Sequence, residues 1–281
     1  MNFQDTGIQM KKIQLASGFS IPQIGLGTWL LTGRECFEAV STALDFGYTL
    51  IDTAASYDNE QDIGKAIEES GINRSDLFLT TKVWYQKLRA KDVVDQCNRS
   101  LDYLRTDYID LLLVHWPNKY IPMRETFEGF EQLVEERKVR SVGISNFTIR
   151  HIQEAKKSTV LKLSVNQVEF HPFLYQKELL QYCNENSISV MAYSPLGRGK
   201  VFNSELLKEI AEDKGAEVSQ IVLAWLLRKN IIVIPKASSD EHLKANLDSM
   251  EIELSDHESS LIDSISENER IIKPSWAEFE D

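Results

Sequence analysis

Four residues able to hold or move a proton stand at or just past the ends of short apolar runs. Asp52 closes the run from Tyr48, Lys82 follows Leu77 to Thr81, and His115 closes the run from Ile109. Tyr57 lies five residues past Asp52, on the segment that follows it. A lysine and an aspartate projecting from neighbouring strands would pair, because neither charge is comfortable alone in a low-dielectric site. A tyrosine beside that lysine is expected to have its phenol pKa lowered from ~10 by the adjacent cation. Such a phenol can donate a proton to a carbonyl oxygen as hydride reaches the carbon, while His115 hydrogen-bonds the same oxygen and orients the substrate. The set is a proton donor without a nucleophile or a metal.

Other chemistries fit the chain less well. The stretch Gly143-Ile144-Ser145-Asn146-Phe147 approaches a nucleophile elbow but ends on phenylalanine where glycine is required. No H-x-H, H-E-x-x-H or close His/Asp/Glu set supplies three metal ligands, although His115 and His171 could share one mouth, so no metal is expected. No G-x-x-x-x-G-K-[ST] loop is present for nucleotide hydrolysis. The cysteines Cys36, Cys97 and Cys183 are odd in number and far apart, which reads as reduced thiols of a cytoplasmic protein.

The elements that must position the four residues form a series. Apolar runs occur at Ile24 to Gly27, Tyr48 to Asp52, Leu77 to Thr81, Ile109 to His115, Val139 to Ser145, Leu163 to Val168, Ile188 to Tyr193 and Ile231 to Pro235. Runs of this kind suit parallel strands buried on both faces. Amphipathic stretches lie between them. Phe37, Val40 and Leu44 share one helical face that ends at Gly47, and Val94, Cys97, Leu101 and Leu104 keep a similar spacing, as do Val218, Ile221, Val222 and Trp225. Eight such units predict an α/β fold of the (β/α)8 TIM-barrel type, which typically needs ~250 residues. A doubly wound open sheet would carry G-x-G-x-x-G after its first strand, and the chain has none. Residues 8–22 are expected to form an N-terminal β-hairpin turning at Ser17-Gly18, residues 256–266 a C-terminal helix, and the stretch after Arg270 an irregular closing segment. No linker divides the chain, so residues 1–281 are expected to form one barrel domain with extra C-terminal helices.

In such barrels function collects at the C-terminal ends of the strands. Here those ends carry Thr28-Trp29, Asp52-Thr53, Lys82, His115-Trp116, Ser145-Asn146, Gln167 with Glu169, Tyr193-Ser194 and Lys236, where turn residues alone would favour Gly, Asn and Pro. The formal net charge of -12 argues against nucleic acid or an anionic membrane as partner. No apolar stretch approaches 18 residues, and no export signal is evident at the N-terminus.

These residues together resemble the aldo-keto reductases, particularly the short microbial branch that includes glyoxal, methylglyoxal and 2,5-diketo-D-gluconate reductases. The resemblance runs from about Lys12 to Pro274. It rests on Gly25-Leu-Gly-Thr-Trp29, Asp52-Thr-Ala-Ala-Ser-Tyr57-Asp-Asn-Glu60, Thr81-Lys82-Val-Trp84 and Leu113-Val-His115-Trp-Pro117. Further on it rests on Val142-Gly-Ile-Ser-Asn-Phe147, Asn166-Gln-Val-Glu169, Ala192-Tyr-Ser-Pro-Leu-Gly197 and Ile234-Pro-Lys236. Taken singly these are weak: Tyr193 reads as a core tyrosine, Trp84 and Trp116 as packing, Gly25 and Gly27 as close backbone approach, Asn146 as a helix cap. Their joint order carries the resemblance.

The resemblance implies NADPH-dependent reduction of small aldehydes, 2-oxoaldehydes or keto sugars. Tyr57 would be the general acid, Lys82 and Asp52 would tune it, and His115 would position the carbonyl. Trp29, Trp84 and Trp116 would wall the substrate pocket. Tyr193 would stack on the nicotinamide, and Ser145, Asn146 and Gln167 would hold its carboxamide, with Gly27, Thr28, Asp52, Ser194 and Leu196 also along the cofactor. Lys236, Ser238, Ser239, His242 and Asn246 would receive its adenosine 2′-phosphate end. His242 stands where many members carry arginine and Ala245 where many carry glutamate, which implies some use of NADH beside NADPH. The short stretches Arg198 to Phe202 and Pro117 to Thr126 and the short chain end imply quick cofactor exchange and an open, broadly selective pocket. A monomer is expected. The alternatives are a cofactor-sensing binding protein on the same fold, with slow or no turnover, and a metal-dependent barrel hydrolase.

Overall fold

The computed structural model describes residues 10–279. The hairpin forms from β1 (Lys12–Gln14) and β2 (Ser20–Pro22), antiparallel with Ile13 opposite Ile21 and turning through Ser17 and Gly18. Its expected first residues, 8 and 9, lie outside the described residues.

Eight parallel strands follow in sequence order: β3 (Leu26–Gly27), β4 (Leu50–Asp52), β5 (Phe78–Val83), β6 (Ile109–Val114), β7 (Val139–Ser145), β8 (Leu163–Glu169), β9 (Ser189–Tyr193) and β10 (Ile232–Val233). The sheet closes on itself. Ile24 bridges Val233 in parallel, and the Gly25 and Gly27 amides donate to Val233 and Pro235 carbonyls at 2.9 and 3.1 Å. Each expected apolar run contains one strand, shifted by a residue or two at the ends. Gly27 is needed at this seam: a Cβ there would lie 2.5 Å from the Ile234 carbonyl oxygen.

Helices cover the outside. They are α1 (Gly33–Asp45), α2 (Glu60–Ser70), α3 (Ala90–Leu104), α4 (Met123–Glu135), α5 (Ile149–Ser158) and α6 (Lys177–Glu185) after successive strands, with α9 (Asp240–Asp248) after β10. Two helices, α7 (Glu205–Lys214) and α8 (Val218–Arg228), share the connection between β9 and β10, and α10 (Asp256–Asp263) closes the barrel outside. Gly47 adopts φ +93 just past α1, the left-handed stop expected of it. On α3 it is Val93, rather than Val94, that joins Cys97, Leu101 and Leu104 in the core. The indole of Trp225 is buried and donates to Asp263 at 2.7 Å, which ties α10 to α8.

Two apolar layers result. Leu50, Phe78, Leu111, Leu113, Val165, Met191, Ile232 and Ile234 fill the barrel lumen, joined by Leu15 and Ile21 of the hairpin, which plugs its N-terminal end. Ile51, Leu79, Leu112 and Val190 pack outward under the helices. Alternation of side chains along a strand then decides what reaches the lumen near the opposite end. Because Leu50 points inward, so does Asp52; because Leu113 points inward and pairs with Lys82, so does Lys82.

Candidate active site

The floor of the site is a buried ion pair. Lys82 Nζ donates to Asp52 Oδ1 at 2.6 Å and to the Thr53 carbonyl at 2.7 Å, and the Gln167 amide donates to Asp52 Oδ2 at 2.6 Å. Burial pushes the Asp52 carboxyl up and the Lys82 ammonium down, with each partner's charge opposing the other's shift. Behind the sheet, Glu60 at the start of α2 is buried and accepts from Thr81 at 2.6 Å and Ser100 at 3.1 Å. Asn59 locks the loops beside it, donating to the Thr28 and Leu31 carbonyls and accepting from Thr53.

A single turn of 3-10 helix, Ala55–Tyr57, sets Tyr57 over this pair, with its ring centre 5.0 Å from Lys82 Nζ. The His115 ring meets the Tyr57 ring edge-on at 5.7 Å and the Trp84 ring at 5.2 Å. The four residues expected at strand ends therefore meet at one place. The expected acidity of Tyr57 is corrected: burial and the negative charge of Asp52 hold its phenol above, not below, its ordinary value. The lysine's charge is already engaged by Asp52, so it does not offset them. Burial and the Lys82 charge together hold His115 well below its ordinary 6.5, so the imidazole is neutral at pH 7.

Above these groups opens a cavity of about 970 Å³. Gly27, Thr28, Trp29, Asp52, Tyr57, Trp84, His115, Trp116, Ser145, Asn146, Gln167, Tyr193, Ser194, Leu196 and Lys236 all line it. The polar wall is cross-braced: Tyr193 Oη donates to Asn146 Oδ1 at 2.7 Å, Asn146 Nδ2 donates to the His115 carbonyl at 3.0 Å, and Ser145 Oγ donates to the Gln167 carbonyl at 2.8 Å. Asn146 reaches this position through a left-handed backbone, φ +63, and the helix cap it could have supplied is made instead by Thr148 with His151.

Ser238, Ser239, His242 and Asn246 do not line the cavity. Ser239 caps α9 by accepting from the His242 amide at 3.3 Å, Ser238, Ser239 and His242 are exposed, and Asn246 is buried.

Several lining residues were not anticipated from the sequence. Arg198, whose backbone is left-handed at φ +51, lays its guanidinium over the Trp29 ring at 4.4 Å. Ile272, Pro274 and Trp276 of the closing segment also line the cavity. Trp276 stacks on Tyr85 at 4.1 Å and meets Trp116 edge-on at 5.2 Å. The only signal for this was Trp276 itself, a large apolar ring in a stretch without helical or strand spacing.

A barrel with this order of motifs is matched by the model of the aldo/keto reductase family over residues 23–267. The chain belongs to the aldo/keto reductase family. This makes it an oxidoreductase of the carbonyl/alcohol class. A glyoxal reductase of Bacillus subtilis is 39% identical over 260 residues, which is 92% of this chain and 94% of that one. A methylglyoxal reductase of Escherichia coli O157:H7 is 34% identical, over 91% and 97% of the two chains. An aldo-keto reductase of Bombyx mori solved in complex with NADP superposes with a TM-score of 0.89 at 32% identity, over 95% of this chain and 96% of that one. Among the described residues no helix is long and apolar enough to cross a membrane.

Proposed function

We propose that this aldo/keto reductase reduces small aldehydes, 2-oxoaldehydes or keto sugars to alcohols with NADPH, using Tyr57 as general acid. The observation that carries the reading is the meeting of Tyr57 and His115 over the Lys82–Asp52 pair, beneath a cavity walled by tryptophans. The cavity's dimensions and lining suit a nicotinamide dinucleotide: about 970 Å³ in one space, a half-buried Tyr193 ring, a polar Ser145–Asn146–Gln167 wall, and the exposed Lys236 at its edge. When bound, the cofactor supplies hydride to the carbonyl carbon.

The chain's own residues do the rest. A neutral His115 offers an N–H to the carbonyl oxygen without contributing a full charge, and so aims the carbonyl. Tyr57 is fully protonated at neutral pH and donates its proton to the same oxygen, which is far more basic once hydride has arrived. The phenolate that results stands over the Lys82–Asp52 pair, and the alkoxide, a stronger base than a phenolate, draws the proton across. Trp29, Trp84 and Trp116 present flat apolar faces that keep water from the reacting carbon.

Support for the substrate class comes from the glyoxal and methylglyoxal reductases among the relatives, and support for the cofactor from the NADP held by the silkworm neighbour. For the 2′-phosphate, Lys236, Ser238, Ser239 and His242 present exposed donors at the N-terminal end of α9, with Asn246 one turn on. The proposed form is a cytoplasmic monomer, one barrel domain over residues 1–281. The test is NADPH consumption followed at 340 nm against glyoxal, methylglyoxal, aliphatic aldehydes and keto sugars, repeated with NADH. Turnover of the short aldehydes is expected, faster with NADPH; no turnover of any of them would overturn the reading.

A further inference from the structure

Glu169, the last residue of β8, is buried completely yet touches none of the four residues proposed for the chemistry. Its carboxylate is saturated by donors from elsewhere. Oε1 accepts from His171 Nε2 at 3.0 Å and from the Ile271 amide at 2.7 Å, and Oε2 accepts from the Ile272 amide at 2.8 Å. With three donors, the carboxyl is held below its ordinary range and is charged at neutral pH. A charged acceptor can only receive, so His171 carries its proton on Nε2.

Two of those donors belong to the irregular segment that follows α10. The loop after β8 holds the same segment at further points: the Glu269 amide donates to the Phe173 carbonyl at 2.7 Å, Leu174 bridges Asn268, and Arg270 donates to Gln176 at 3.0 Å. Ile272 is the last residue fixed in this way, and within four residues the chain delivers Pro274 and Trp276 to the cavity wall. Beyond Trp276 the ties are the Lys119 and Arg150 pairs with Glu278, on the exposed surface, and the Phe279 ring, which meets Trp116 edge-on at 5.9 Å and lies 4.0 Å from the Arg270 guanidinium. Surface pairs of that kind contribute little, whereas a dry carboxylate receiving backbone N–H groups is among the stronger arrangements a protein makes.

We infer that Glu169 is a positioning residue for substrate selection: its buried carboxylate fixes the Ile271–Ile272 backbone and so sets where Pro274 and Trp276 wall the pocket. Glutamine in its place offers one acceptor oxygen for three donors and turns an N–H₂ toward a backbone N–H, which repels it. The segment beyond Arg270 then loosens, and the wall that Trp276 makes beside Trp84 and Trp116 loses its fixed place. An aldehyde too small to reach Trp276 would not register the change, and an aromatic one would.

The test has a structural arm and a kinetic arm, and only the second rests on the proposed reductase activity. In native-state hydrogen exchange of the full chain, the Ile271 and Ile272 amides should be protected, and Glu169→Gln should release them while β5 to β8 stay protected. In steady-state kinetics, E169Q should raise KM for benzaldehyde about tenfold with kcat changed less than twofold, and leave both constants for glyoxal within twofold. Trp276→Ala should likewise raise KM for benzaldehyde about tenfold, and the double variant should be no worse on benzaldehyde than either single one. If E169Q does not fold, Ile271→Pro removes one of the donated N–H groups with Glu169 intact, at a residue that does not line the cavity, and the same split is expected. Unprotected Ile271 and Ile272 amides in the wild type, or fully additive effects of E169Q and W276A, would overturn the inference. Absent turnover in the wild type would instead overturn the reductase reading and leave the exchange result to stand.

Discussion

Lys82 Nζ and Asp52 Oδ1 lie 2.6 Å apart, with the lysine side chain fully buried and the aspartate's 3% exposed. A pair this deep is costly to build, and removing one member leaves the other charge uncompensated. Lys82→Met should therefore lower stability by ~3–5 kcal/mol, while K82M combined with Asp52→Asn should recover part of that loss. Urea denaturation of the three variants measures it. A single-variant loss below ~1 kcal/mol would mean that water or another group reaches Asp52.

Acid should weaken the protein before its carboxylates titrate, because of His115. Its folded pKa is well below the ordinary 6.5. Between that depressed value and ~6.5 the unfolded chain binds a proton that the folded one refuses, so stability falls as pH falls through this window. The slope contributed by one such group is at most ~1.4 kcal/mol per pH unit. Denaturation midpoints at pH 7.5, 6.5 and 5.5 should show the decline in the wild type, and His115→Gln should flatten it. Parallel curves for the two proteins would place the imidazole in water.

The phosphate end of the proposed cofactor site makes a separate prediction. His242 is exposed in the first turn of α9, next to the cap Ser239. Replacing it with arginine supplies a permanent planar cation able to take two phosphate oxygens at once. Kd for NADPH should fall severalfold in H242R while that for NADH changes little, as read by fluorescence titration. Equal changes for both would place His242 away from the 2′-phosphate.

How much of this was legible in the sequence depended on the kind of information each feature needed. The eight strands were readable because a strand buried on both faces must be apolar throughout, as Ile109 to Val114 is. The catalytic candidates were readable because charged residues directly after such runs have nowhere to go but the barrel mouth. Acidity was misjudged at Tyr57: spacing put Lys82 nearby but did not say that Asp52 had already taken its charge, or that the ring would stand half-buried with Asp52 close to its phenol. The closing segment was legible as irregular, but its place was not: Trp276 is carried to the wall by amide hydrogen bonds to Glu169 that join residues about a hundred positions apart. Nothing local in either segment encodes that contact. Arg198 over Trp29 was hidden for the same reason, since it depends on a left-handed turn that the neighbouring Gly199 disguises.

The most direct measurement of the central claim is the single substitution Tyr57→Phe, assayed for NADPH oxidation with methylglyoxal alongside NADPH binding. The phenyl ring keeps the shape of the site and its contact with His115, and only the proton donor is lost. Turnover should drop by about 10²–10⁴-fold with the Kd for NADPH unchanged. A variant that binds NADPH and still turns over at the wild-type rate would show that the proton comes from elsewhere.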